Sequence, residues 1–546
     1  MNNRRNIAIT AAVACALSAP LAIEPRAAQA DELSDLRANQ QLLQERIDQL
    51  SQALPGGGGP GTIYPGGPPS PVAGQPSAAG SFPRSFLVPG TDTSIRVGGQ
   101  IRENAIYYFN GGPPNSSPQS TTVGDNGQAN AIPVKISLPS SVTSGATYSR
   151  STDIFLQSPR ESKVNFETRT PTAWGEVRTF MEFDWAGSTS YAPQSGVPLS
   201  SSDNLVPRLK YAYGTMGGLL AGQANSNFSD PDANGETIDF GGNVGEPGIV
   251  RVPQVRYTVP LQPWGFLGAF SVSAEAPETD AWLPTSGIIG SDSSAIGGGT
   301  VTTTNINPST GAAITETAIV AAPLANPLKA GAPDLTAAWY IPQPWGHVDY
   351  SLVWRPAMQI NDGALVNKTY MGYGLHTSFD VKPGWFGWAK DDIIFHAIWG
   401  DGIGRYNNDT SGFALTTTYP LATPTTRVIA GSVLARTTVS WGGEVGYQHS
   451  WLDNLRSNWN AGIYYHDIND MRGAVCGFSL AAGSAAQAGS GGCGLDKQVV
   501  TAHANLIWNP VPFVDLSIEY IYGHRVVLSN LRGDMNVLES RMAVSF

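Results

Sequence analysis

The stretch "SNFSDPDANGETIDFGGNVGEPG", residues 226 to 248, carries Asp230, Asp232, Glu236, Asp239 and Glu246 and no Lys or Arg. Basic residues stand instead at alternating positions of nearby apolar segments: Arg102, Arg169, Arg178, Arg208, Lys210 and Arg256. Acids on one element facing bases on another can do electrostatic work. In a narrow pore with low-dielectric walls, such a transverse field orients dipolar or anionic solutes. A plainer arrangement is open as well, in which the same bases pair with Glu167, Glu176, Glu182 and Asp184 on neighbouring segments and hold a wet interior together.

Covalent chemistry finds little support. "GFSLA" at 477 lacks the last Gly of a nucleophile elbow, and neither H-E-x-x-H nor a P-loop occurs. The seven histidines are scattered, so no metal or cofactor is expected and the chain does not read as an enzyme. A net charge of -11 without a basic stripe argues against nucleic acid as a partner. Cys476 and Cys493 share one Gly-rich segment, "AVCGFSLAAGSAAQAGSGGCG". In an oxidising compartment this pair reads as a disulfide worth on the order of 3 kcal/mol; two free thiols are the alternative.

The elements that would position these residues follow from patterning. Residues 1–30 have the layout of an export signal: Arg4 and Arg5, an apolar run, and Ala28-Gln29-Ala30. Over 31–54, Leu33, Gln40, Ile47 and Leu54 recur every seven residues, as do Leu36, Leu43 and Leu50, which predicts a coiled coil. Residues 55–80 are a Gly/Pro-rich linker.

From 81 to 546 the chain becomes a succession of alternating segments. "SIRVGGQIRENAIYYF" sets Ile95, Val97, Ile101 and Phe109 against Arg96, Gln100, Arg102 and Asn104, and "EVRTFMEFDW" repeats the pattern. Charged groups recur on one face and large apolar groups on the other, a pattern suited to strands with lipid outside and water inside. About sixteen such segments begin near 94, 161, 173, 206, 218, 250, 264, 333, 345, 367, 390, 438, 456, 497, 512 and 536. Short connections such as "TPTAW", "TMGG" and "IPQPW" alternate with mostly long ones, including 110–160, 226–249, 276–332 and 469–496. Trp264, Trp345, Trp385, Trp388, Trp451 and Trp508 lie at the short turns, and Trp185, Trp354 and Trp399 at the other ends. Two aromatic bands suit two membrane interfaces. The predicted fold is an all-β transmembrane barrel of about 16 antiparallel strands with an N-terminal helical coiled coil, and 226–248 is then the third long loop, the one placed to fold inward.

The sequence also resembles the DcaP-like family of trimeric outer-membrane porins. The resemblance is carried by "LRANQQLLQERIDQL", "VPGTDTSIRVGGQIRENAIYYF", "SKVNFETRTPTAWGEVRTFMEFDW", "RLKYAYGTMGGLLAGQANSNFSD", "ETIDFGGNVG" and the terminal Phe546. It implies a homotrimer in outer-membrane lipid, a periplasmic coil, and passive passage of small solutes, with anionic ones such as dicarboxylates favoured in some members. By likeness to outer-membrane proteins generally, Phe546 is the assembly signal read by the barrel-insertion machinery. The rival expectation is a structural anchor that tethers the envelope through its coil.

Overall fold

The structure, a computed structural model, describes residues 79–110, 154–187, 206–239, 241–245, 250–283, 287–289, 300–306, 313–319, 328–361, 367–407, 414–418, 434–469, 496–528, 530 and 532–546. The export signal, the coil with Leu33, Leu36, Gln40, Leu43, Ile47, Leu50 and Leu54, most of the linker, Glu246 and the pair Cys476 and Cys493 lie outside the described residues.

Sixteen antiparallel strands form the barrel wall among the described residues. They are β1 (Ser94–Asn110), β2 in two pieces (Ile154–Ser158 and Lys163–Thr172), β3 (Gly175–Gly187), β4 (Val206–Met216), β5 (Leu219–Asn225), β6 (Arg251–Pro260), β7 (Ala269–Glu275) and β8 (Asp334–Gln343). The second half is β9 (Gly346–Asn361), β10 (Asn367–Val381), β11 (Asp392–Asp401), β12 (Val439–Leu452), β13 (Leu455–His466), β14 (Asp496–Val511), β15 (Val514–Val527) and β16 (Arg532–Ser545). Each strand pairs with the next, and β16 pairs with β1 from Gln100↔Ser545 to Asn110↔Asn536, which closes the ring. Phe546 extends the seam by exchanging backbone hydrogen bonds with Gly99, and a side chain at Gly99 would collide with the Phe546 ring. Closure leaves no barrel edge, which is what a sheet needs in lipid.

The predicted segments and the strands agree one for one. Three starts differ most: β2 begins at 154 rather than 161 with a short first piece, β7 begins at 269 rather than 264 because Gln262–Trp264 is a 3-10 turn, and β16 begins at 532 rather than 536. The connection lengths alternate less strictly than expected, since only 362–366 joins β9 to β10 and only 528–531 joins β15 to β16.

Outward positions are apolar and exposed, among them Ile101, Val255, Leu352, Met371, Leu375 and Met542. A contiguous band of this size is lipid-facing surface and would be unfavourable in water. Inside, the alternation breaks in places: Ile106, Tyr108, Tyr464, Val499 and Ile521 point into the lumen around Val244, and Val353 and Ile398 pack around Phe228. Those apolar positions are dry because Phe228, Val244 and Val250 of the connection between β5 and β6 pack against them.

Candidate pore constriction

The segment joining β5 to β6 turns into the barrel and docks first on β7 and then along the inner face of β9 to β16. At its start, Ser226 Oγ and the Asn227 backbone N–H donate to Glu275, and Ser351 Oγ donates to the Phe228 carbonyl at 3.1 Å. Asp230 meets His347 Nε2 at 2.8 Å and accepts from Ser378 Oγ at 2.5 Å. Burial opposes ionisation of this carboxyl, but the His347 and Ser378 hydrogen bonds outweigh it and hold Asp230 below the usual aspartate range.

Further along, Arg456 grips Glu236 with two N–H groups at 2.6 and 2.5 Å, while Asn460 and Asn505 donate to the Glu236 carbonyl at 2.9 Å each. The backbone N–H groups of Ile238 and Asp239 donate to Glu519. Asn243 donates to Glu444, and the Val244 N–H donates to Thr501 Oγ1. Backbone then touches backbone: Gly245 has φ +86°, and a Cβ there or at Gly462 would overlap the facing main chain. The loop thus meets a wall of Asn, His, Ser, Thr and Gly with Glu275, Glu444, Glu519 and Arg456 among them, which satisfies its backbone and lets it lie close.

Facing the loop stands the opposite wall. Residues 234–239 and Gly242 of the loop bound a space of about 310 Å³ together with Arg102, Lys163, Lys210, Arg251 and Arg541, and with Glu161. Lys210 follows Arg208 onto the lumen face by alternation and sits at a bulge of β4: Glu182 opposes Tyr211 and Phe183 opposes Leu209, so Lys210 is the extra residue between them. Several bases are partly answered by wall acids, Arg102 by Glu161 at 3.2 Å, Lys210 by Glu182 at 3.3 Å and Arg541 by Asp515 at 3.2 Å. Five bases and three acids line the space, and one of those acids, Glu236, already has Arg456. Bases thus outnumber acids among the residues that line the space itself.

Of the sequence-predicted bases, Arg102 and Lys210 line this space. Arg169 and Arg178 sit lower on Glu167, and Arg208 pairs with Asp184 through both carboxylate oxygens. Arg256 lies on β6 opposite Leu220 and has no ion-pair partner among the described residues. Of the predicted acids, Glu236 and Asp239 line the space, Asp230 is buried against the wall and Asp232 is exposed. Lys163, Arg251 and Arg541 were not singled out by sequence: Lys163 and Arg541 sit on the polar faces of their strands, whereas Arg251 opens β6 with the parity of the lipid-facing Val255 and Tyr257. Among the described residues no group of three His, Cys, Asp or Glu is placed to hold a metal.

The family profile described as Porin subfamily matches residues 84–525. The chain belongs to the porin subfamily. Among solved structures, the outer membrane channel DcaP of Acinetobacter baumannii is similar at a TM-score of 0.55 and 21% identity, covering 86% of this chain and 100% of that one. The DcaP-like expectation therefore holds at the level of fold. An anion-selective porin from Comamonas acidovorans is similar at a TM-score of 0.40 and 8% identity, over 83% of this chain and 100% of that one. No curated protein sequence matches. This porin is an outer-membrane channel, and the space between loop and basic wall is its candidate filter.

Proposed function

We propose that this porin passes small hydrophilic solutes by diffusion and favours anions, dicarboxylates included. What supports the preference is the charge balance at the narrow level, where Arg102, Lys163, Lys210, Arg251 and Arg541 face a loop whose Glu236 is held by Arg456. Charge rings of this kind set the sign of the permeant ion. The transverse field belongs to the same reading, with Asp232, Glu236 and Asp239 as the loop pole.

The test is a reversal potential across a planar bilayer under a potassium chloride gradient. An anion-favouring sign is expected, and a cation-favouring one would sink the proposal. The same reading makes the protein a homotrimer in outer-membrane lipid, inserted by the barrel-assembly machinery, with residues 31–54 as a periplasmic coiled coil and Cys476 bonded to Cys493. Deleting 31–80 should leave conductance unchanged, whereas the anchor role predicts loss of an envelope partner.

A further inference from the structure

Towards the short-turn end of the lumen, away from the constriction, three guanidiniums converge on one carboxylate. Glu167 on β2 accepts from Arg96 of β1 at 2.5 Å, from Arg169 of its own strand at 2.9 Å and from Arg178 of β3 at 2.7 Å. Strand register sets this up, with Arg96 opposite Glu167 and Arg169 opposite Arg178. Like charges directly opposed across strands repel, and the Glu167 carboxylate between them offsets it. It cannot neutralise all three. Glu176 is the one other acid in ion-pair reach among the described residues, 3.6 Å from Arg169 and half exposed. The three arginine side chains keep 27–34% of their surface open while Glu167 keeps 1%. The site therefore presents its cations to the lumen and hides their counter-charge.

Aromatic faces fix the guanidinium planes. Phe82, which precedes the barrel, is buried with its ring 4.5 Å from the Arg169 guanidinium and 5.7 Å from that of Arg96. A small hairpin holds it there: the Ser81 N–H donates to Ser94 Oγ, the Phe82 N–H donates to Ser85 Oγ, and Phe86 pairs with Ile95. On the other flank, Arg178 lies 5.7 Å from the Phe180 ring and 5.9 Å from that of Tyr213. Guanidiniums set in this way have outward N–H groups in the fork geometry that suits a carboxylate.

We propose that Arg96, Arg169 and Arg178, gathered on Glu167 and seated on Phe82, form a second anion site at the periplasmic mouth, occupied by the carboxylate of a small organic anion in transit. The proposal rests on the anion-favouring reading of the constriction. Two weak sites in series fit conduction, which needs binding strong enough to admit a solute and dispersed enough to release it. Phe82 makes the segment before the barrel part of the pore, as a positioning residue.

Single-channel recording of the full-length protein tests this with succinate as probe, added to one side at a time. Wild type is expected to show current interruptions from either side. In Arg96→Gln/Arg178→Gln, the dwell time of interruptions from the short-turn side should fall at least about tenfold, the scale of a lost charge-assisted hydrogen bond. Interruptions from the far side should keep their rate of onset. Phe82→Leu should shorten short-turn-side dwell less, and Arg178→Lys, which keeps the charge, serves if the double variant yields no barrels. Absent wild-type interruptions from the short-turn side, unchanged dwell in the variants, or equal loss from both sides would overturn the site. A cation-favouring wild-type reversal potential would instead overturn the constriction reading.

Discussion

Along β1 to β4 the inward positions include Arg96, Arg102, Lys163, Arg178 and Lys210; along β9 to β15 they include His347, Ser351, His376, Gly442, Asn460 and Glu519. Both walls obey one alternation, apolar to lipid and the other face to the lumen. They differ in what the lumen face meets. The first meets water and solute, so charge is useful there and long side chains can extend. The second meets residues 226–239 and 241–245, whose backbone brings N–H and C=O groups needing partners and whose approach leaves no room for bulk. Groups that donate and accept, and glycines, suit the second wall. Basic groups suit the first.

Filling the glycine floor should blur this distinction most. Gly462→Val places a side chain where the Val244 carbonyl lies, and overpacking of this kind costs about 1–3 kcal/mol. The loop should lift off the second wall, with larger single-channel conductance and weaker ion selectivity. Wild-type conductance in this variant would mean that the loop does not limit the pore.

Removing charge from the first wall should act on selectivity alone. Arg102→Gln/Lys210→Gln keeps side-chain volume near the 310 Å³ space, so conductance should change little while the reversal potential moves towards cations. An unmoved potential would take both residues out of the filter.

A smaller effect is expected at the tie between the walls' two chemistries, Glu236 with Arg456. Both side chains are partly exposed, 36% and 26%, which places their coupling near the low end for charged hydrogen bonds, about 1 kcal/mol. A double-mutant cycle with Glu236→Gln and Arg456→Gln, followed by thermal unfolding in detergent, measures it. Additive single effects would show that the pair does not hold the loop.

Sixteen strands were legible because lipid on one side and water on the other impose a period of two that few other environments impose so uniformly. The inward loop was legible from its length, parity and acids. Less so was the partition of the bases. Lys210 was legible by alternation with Arg208, but Arg251 was not, because it shares the parity of the lipid-facing Val255 and Tyr257. Arg541 nears Arg102 only because β16 closes on β1, a contact between residues more than four hundred apart in sequence. The lumen-facing Ile106, Tyr108, Val353 and Ile398 look like errors of alternation until the loop that dries them is in place. That Asp230 and Glu236 would be bound to the wall rather than turned fully to the pore needs the partners His347, Ser378 and Arg456, which lie on three distant strands.

Acid provides the mildest way to loosen the second wall. The Asp230 carboxyl is held below its ordinary value, burial being outweighed by the His347 and Ser378 hydrogen bonds. A depressed folded value means that the docked loop binds fewer protons than the released one. Its contribution to docking is complete above the ordinary aspartate value of about 3.9 and declines only as pH falls through the lower, docked value. Current noise from loop movement should therefore stay flat from neutral pH down to that ordinary value and rise below it. Asp230→Asn should remove this acid-dependent rise while leaving the selectivity set by Arg102 and Lys210 in place. A rise in noise already at pH 6, retained in Asp230→Asn, would show that the Asp230 tie to His347 and Ser378 does not hold the loop on the second wall.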